Sequence, residues 1–185
     1  MGIEGIGAET IEQFHEAGLI KNTADLYDLS ADDLLPLERM AEKSVENILQ
    51  GLEASKVIPF ERVLFALGIR YVGETVAKKL ARHFHSIEKM QAATNGELLA
   101  VDEIGDRIAQ SVQEFFALEA NGEIIERLKA KGLQLEIPQE SLRDQTDKLQ
   151  GKTFVISGIF ERHSRDELKE LIEQNGGKST GSVSA

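Results

Sequence analysis

Four five-residue segments of this chain share a spacing that suits them to hold an anion. They are Ile3-Glu-Gly-Ile-Gly7, Leu37-Glu-Arg-Met-Ala41, Ile69-Arg-Tyr-Val-Gly73 and Val101-Asp-Glu-Ile-Gly105, each reading apolar, two free positions, apolar, then a small residue. A helix signal follows each one directly. A turn that opens straight into a helix leaves the first backbone N–H groups without partners, at the positive end of the helix dipole. A phosphate oxygen fits there with no side chain required. Glycine at the end of such a turn admits positive φ and lets a bulky ligand approach closely. Gly5, Gly7, Gly73 and Gly105, with Gly68 just ahead of the third turn, are therefore candidate contact positions.

The side chains around the four turns are not equal. The third turn has Arg70 within it and then Thr75, Lys78, Lys79 and Arg82, so it ranks as the leading phosphate contact. The first has acidic neighbours, Glu4, Glu9 and Glu12. In the second, Ala41 stands where glycine is expected, and Arg39 and Lys43 partly compensate. In the fourth, Gly105 is flanked by Asp102, Glu103 and Asp106, with Arg107 as the nearby cation. The second and fourth serve equally well as scaffold. The formal net charge of −11 argues against a chain-wide electrostatic grip on a polyanion. Residues 56–89, with 7 basic and 3 acidic side chains, form one basic segment in an acidic chain.

Positioning these turns is the task of a repeat. Their last residues are separated by 34, 32 and 32 positions, and the flanks match. Four residues beyond the turn stand Ile11, Val45, Ala77 and Ala109; seven beyond stand Phe14, Ile48, Leu80 and Val112. That spacing marks one buried face of a helix, and Ile69, Val72 and Leu80 are core positions. Three turns also have a helix signal upstream: Ser30 as N-cap before Leu34, Pro59 as a first helical position before Phe60 to Leu67, and the capping box Thr94-Asn-Gly-Glu97. The first turn lacks one, so the sequence is expected to be a piece of a longer protein. A further helix is predicted over Asn121 to Lys131, ending at Gly132. Residues 138–148 are polar without period and read as a linker. From Leu149 the pattern changes to a strand, Thr153-Phe-Val-Ile156, then the capping box Ser164-Arg-Asp-Glu167 opening a helix with Leu168, Leu171 and Ile172 on one face, and a second strand near Lys178. The fold class is mainly α: a tandem array of helix-turn-helix units over 1–137, then the start of a small α/β domain over 149–185. Two strands and one helix are marginal alone, so that tail is expected to be loosely ordered.

Other chemistries are excluded or weak. The absence of cysteine removes disulfides, thiol catalysis and cysteine-ligated zinc. No apolar run is long enough to span a bilayer and no secretory leader stands near Met1, so a cytoplasmic setting without membrane is the expectation. Gly177-Lys178-Ser179 imitates the end of a Walker loop, but Ile172 occupies the position where its first glycine is required. His83 and His85 fall on different helical faces and lack a third ligand. No nucleophile and base are paired, so no catalytic residue is assigned.

The turn-and-helix pattern resembles the helix-hairpin-helix motif, which grips DNA by its backbone without regard to sequence. Ile3-Glu-Gly-Ile-Gly7, Phe65-Ala-Leu-Gly-Ile-Arg-Tyr-Val-Gly-Glu-Thr75 and Ala81-Arg-His-Phe84 resemble bacterial NAD-dependent DNA ligases. Leu149-Gln-Gly-Lys-Thr-Phe-Val-Ile-Ser-Gly158, Ser164-Arg and Gly176-Gly-Lys178 are similar to the start of that family's BRCT domain. The resemblance implies a non-catalytic C-terminal fragment that binds nicked double-stranded DNA by its phosphates while the remaining ligase domains seal the nick in replication and repair. It implies no cofactor in this fragment: NAD, magnesium and a structural zinc belong to the parent outside this chain. The family's Lys-x-Asp-Gly motif is missing, so the fragment is expected to be inactive alone. In a complete BRCT domain, Ser157 and Gly158 would offer a phosphate site; the later strands and helices of that fold are missing here. The competing reading is an acidic helical protein-interaction module without measurable DNA affinity, and a third is a free-standing enzyme such as a nuclease-associated factor.

Overall fold

The apolar residues four and seven positions past each turn fall on one helical face and build the interior of the first unit. The computed structural model describes residues 2–143, 146, 148–158, 160 and 162–181, the side chain of Arg143 excepted. The chain divides into two units, Met1–Ile137 and Pro138–Ala185. The first contains helices α1 (Ala8–Glu16), α2 (Ala31–Leu34), α3 (Glu42–Ser55), α4 (Phe60–Ala66), α5 (Glu74–Phe84), α6 (Ile87–Ala92), α7 (Asn95–Leu99), α8 (Asp106–Ala117) and α9 (Glu119–Ala130), with a 3-10 turn at Asp25–Asp28. The mainly α reading holds. No helix among the described residues is long and apolar enough to cross a membrane.

Two cores, not one continuous stack, organise the four repeats. Phe14, Leu34, Val45 and Ile48 centre the first, and Leu64, Leu80, Leu98 and Val112 the second. All four residues at the seventh position after a turn are buried, as are Val45, Ala77 and Ala109 at the fourth, whereas Ile11 is half-buried. The linear period thus resolves into two pairs of hairpins.

Helix boundaries follow local chemistry. The Thr94 and Ser164 side chains each accept from the backbone N–H three residues on, and Glu97 and Glu167 return the bond. Pro59 is the N-cap of α4, not its first helical residue, because its ψ of 151° is extended. Helix α9 begins at Glu119, two residues before the expected Asn121, since Leu118 with ψ 115° already breaks the chain out of α8. Pattern reading did not separate α6, which Ser86 caps through its side chain after α5 ends at His85 with φ 65°. The segment after α9 returns to that corner: Ile87 N–H donates to Leu135 O at 2.9 Å, and Ile137 N–H to His85 O at 2.7 Å. On the surface, Arg127 of α9 bridges Asp25 at 2.8 Å and Asp28 at 2.5 Å, and Lys131 also reaches Asp28.

The second unit is a β–α–β unit. Strand β1 (Thr153–Val155) pairs in parallel with β2 (Lys178–Thr180), Phe154 opposite Ser179. Helix α11 (Arg165–Gln174) makes the crossover. Gly177 is needed for packing: a Cβ there would lie 2.8 Å from Ile172 Cγ2 and 3.1 Å from Leu149 Cβ. The segment 138–148, expected as a plain linker, carries a short helix, α10 (Gln139–Arg143). Pro138, which cannot donate a backbone hydrogen bond, precedes its first turn. Residues 144, 145 and 147 of that linker, and 159, 161 and 182–185 of the tail expected to be loosely ordered, lie outside the described residues.

Candidate nucleic-acid interface

All four turns have one backbone design. The fourth residue of each pentad donates to the carbonyl of the first: Ile6 to Ile3 at 3.2 Å, Met40 to Leu37 at 3.2 Å, Val72 to Ile69 at 3.0 Å and Ile104 to Val101 at 3.1 Å. The middle residue has positive φ in every case: Gly5 81°, Arg39 63°, Tyr71 65° and Glu103 67°. That is the third position of a four-residue turn, where a type II turn requires positive φ.

This corrects the expected role of the terminal glycines. Gly7, Gly73 and Gly105 are not left-handed; each is an extended N-cap with φ of −104°, −78° and −96°. Ala41 takes the same conformation at φ −76°, so the backbone does not demand glycine there. Nor does packing, since a Cβ on Gly7, Gly73 or Gly105 would meet nothing within 4 Å. Gly5, by contrast, combines a positive φ, which side chains adopt only under strain, with close approach to Ile48, whose Cγ1 would stand 3.2 Å from an added Cβ. Gly68, with φ 71°, lies just past the end of α4, where a left-handed residue closes a helix; its glycine is accounted for by that cap.

What the terminal positions share is an open helix start. None of α1, α3, α5 and α8 has a side-chain cap hydrogen bond, and α4 and α9 also lack one. Helices α6, α7 and α11 are capped by Ser86, Thr94 and Ser164. Serine, threonine, asparagine and aspartate are the usual occupants of an N-cap, and the hairpin helices have a residue that cannot fill the role. Their leading N–H groups therefore face solvent beside exposed turns.

The hairpins meet in pairs through one repeated contact. Six residues past the turn, Gln13 of α1 donates from Nε2 to Glu38 O in the second turn at 2.8 Å. At the matching position of α8, Ser111 Oγ donates to Arg70 O in the third turn at 2.7 Å. The reciprocal contact in the second pair is ionic: Lys79 of α5 reaches Glu103 at 2.8 Å and Asp102 at 3.4 Å in the fourth turn. In the first pair the reciprocal residue is Asn47 of α3, which lines a groove with Glu4 and Gly51. Three of the turns, the second, third and fourth, are thus braced by the second helix of their partner.

The candidate cations are sorted by this pairing. Arg70 and Arg107, from the third and fourth hairpins, both lie over the ring of Tyr71, at 4.9 and 5.2 Å from its centroid. Thr75 is exposed in the first turn of α5, and Lys78 and Arg82 are half-buried along the same helix. Lys79, half-buried, is held by the fourth turn's carboxylates rather than extended outward. Arg39 and Lys43 are exposed at the second turn. Ser157 and Gly158 are exposed in the second unit, where the Arg165 guanidinium donates to Gly158 O at 3.2 Å.

Pattern reading missed Tyr71, Ser111 and Gln13. Each repeat has a hydrogen-bonding residue in that sixth position, Gln13, Asn47, Lys79 and Ser111, beside the apolar seventh; a polar column adjoining a buried one signals a helix–turn brace. No group of three metal-binding side chains gathers among the described residues.

Comparison with known proteins matches these units. Residues 1–54 match the SAM-like helix-hairpin-helix tandem, 62–125 the helix-hairpin-helix motif, and 144–185 the BRCA1 C-terminus (BRCT) domain. The chain is 62% identical to a DNA ligase of Christiangramia forsetii, 60% to one of Flavobacterium psychrophilum and 56% to one of Phocaeicola vulgatus, over 100% of its own length in each case. It spans 28% of the length of each of those relatives.

Proposed function

We propose, from the premise that this chain belongs along its whole length to the DNA ligase family, that its first unit is a non-catalytic clamp holding duplex DNA by the phosphates. The observation that carries this is the set of four helix starts without a side-chain cap, three of them behind a glycine with open space before it. Backbone N–H donors recognise phosphate and carry no base information, so binding is independent of sequence. The third and fourth hairpins lead: the α5 start at Gly73 with Thr75, Lys78 and Arg82, and the α8 start at Gly105 with Arg107, joined by Arg70. Gly5, Gly7, Arg39 and Lys43 add the weaker contacts of the first pair. Lys79 acts through the brace, and Ser157 and Gly158 are a secondary phosphate site in the BRCT-like unit.

Nick sealing belongs to the whole ligase, in which NAD and magnesium would serve residues outside this chain. A structural zinc finds no thiolate here, because the chain has no cysteine, and no step of this reading passes through a metal or NAD. Nicked duplex, the other ligase domains and a cytoplasmic setting complete the proposal.

A fluorescence titration of the 185-residue chain with a nicked duplex tests it. Affinity falls steeply with salt, with a log–log slope of about −3 if three or four phosphates are neutralised. Gly73→Ala and Gly105→Ala keep the fold, as Ala41 demonstrates, and weaken binding several-fold by placing a methyl in front of the donors. Absence of duplex affinity at low salt overturns the reading and favours the acidic protein-interaction module.

A further inference from the structure

The turn design requires positive φ at one position and nothing more, and Gly5 meets that need without a side chain. Tyr71 occupies the matching position of the third turn at φ 65°, a conformation uncommon for any side chain and an outlier for a bulky one. It is 45% exposed, so core packing does not account for it. Arg39 and Glu103 take the same φ in their turns, so the turn imposes the conformation; what sets Tyr71 apart is the exposed aromatic ring held there.

The ring's neighbours state its use. Arg70 precedes Tyr71 in the chain, whereas Arg107 comes from the first turn of α8 in the fourth hairpin. Both guanidinium carbons stand within the range of a cation–π contact, at 4.9 and 5.2 Å. Ser111, four residues after Arg107 and so on the same face of α8, donates to the Arg70 carbonyl at 2.7 Å. Backbone and side chain of Arg70 are therefore both referenced to α8. Two like charges over one ring repel, and an anion beside them relieves the repulsion. The equivalent residue of the fourth turn, Glu103, instead engages Lys79 within the protein, so this pair of hairpins has one outward cationic turn.

We propose that Tyr71 is a positioning residue that gathers Arg70 and Arg107 into one patch gripping neighbouring phosphates of a single DNA strand. The two hairpins then act on one stretch of backbone. This deepens the phosphate-clamp reading and rests on it.

The test compares wild type, Tyr71→Phe, Tyr71→Gly, Arg70→Gln and the Tyr71→Gly, Arg70→Gln double variant of the full chain. Each is titrated against a nicked duplex over a salt series, with thermal unfolding in parallel. Tyr71→Phe keeps the ring and binds within about twofold of wild type. Tyr71→Gly accepts the φ, so its melting temperature does not fall; its affinity drops about tenfold and its salt slope shrinks by about one to two units, as expected for one or two lost phosphate contacts. The double variant loses less than the product of the two single losses, because the ring acts through the arginine. Wild-type affinity and slope in Tyr71→Gly, beside a wild type that binds, overturn the patch alone. A wild type that does not bind duplex overturns the clamp reading and this inference with it.

Discussion

Replacing Gly51 by alanine tests how the first hairpin seats on α3. A Cβ at this helical position would lie 2.5 Å from Glu4 O, 3.2 Å from Glu4 N and 3.2 Å from Ile3 Cγ2. The nearest neighbour is backbone of the turn itself, so no side chain can swing aside, and the turn must retreat from α3. Overpacking of this kind costs about 1–3 kcal/mol. Alanine recovers about 0.8–1 kcal/mol of that through helix propensity, leaving a net loss of up to about 2 kcal/mol. Gly122 in α9 supplies the control, since a Cβ there would meet nothing within 4 Å. Gly122→Ala should be more stable than wild type by about 0.5–1 kcal/mol. Urea unfolding followed by far-UV circular dichroism reads both, provided the m value is unchanged. The melting temperatures should differ by several degrees, at about 2–4 °C per kcal/mol for a chain this size. If Gly51→Ala proves as stable as Gly122→Ala, the close seating of the first turn on α3 is refuted.

Two further outcomes follow from the ion pairs. Asp25 is held below the ordinary carboxylate range chiefly by the Lys21 backbone N–H and then by Arg127, and Asp28 by Lys131 and Arg127. Between their folded and unfolded pKa values the unfolded chain binds more protons. Their stabilisation is thus present above about pH 4 and lost as pH falls through the lower folded values; Arg127→Gln should flatten that acid limb in a pH series of urea midpoints. Lys79→Ala should weaken duplex binding less than Arg70→Ala in the same salt titration, because Lys79 is held by Asp102 and Glu103; an equal loss would show that it reaches DNA.

Helix faces, caps and the four turns were legible because each leaves a short-range signature. Leu80 and Val112 are buried where a 3.6-residue period requires, and Thr94 with Glu97 forms the capping box that the spacing announces. The pairing of hairpins was not legible. It depends on Gln13 reaching Glu38 O and Ser111 reaching Arg70 O across 25 and 41 residues, and a polar side chain on a helix does not name a distant carbonyl. The left-handed centre of the turn was hidden for a related reason: only Gly5 advertises it, while Arg39, Tyr71 and Glu103 adopt it under the constraint of flanking apolar anchors. In sequence Lys79 belongs to the leading turn and Arg107 to an acidic turn that serves equally well as scaffold, whereas the fold sends the first into a brace and the second onto a ring.

The return of the segment after α9 to the corner at His85 has a consequence for the order in which the first unit can assemble. A chain emerging from its N-terminus has the whole of its first core, Phe14 through Leu52, once α3 is complete. The second core draws on Ala24 and Phe60 but also on Ile125, Leu133 and Leu135, and the Ile137 N–H makes its last stitch to His85 O. Synthesis delivers the N-terminal residues first. The first pair of hairpins can therefore close early, while the second, more cationic pair waits for residue 137. Truncation before that point would leave half of the clamp built and its stronger half unfinished.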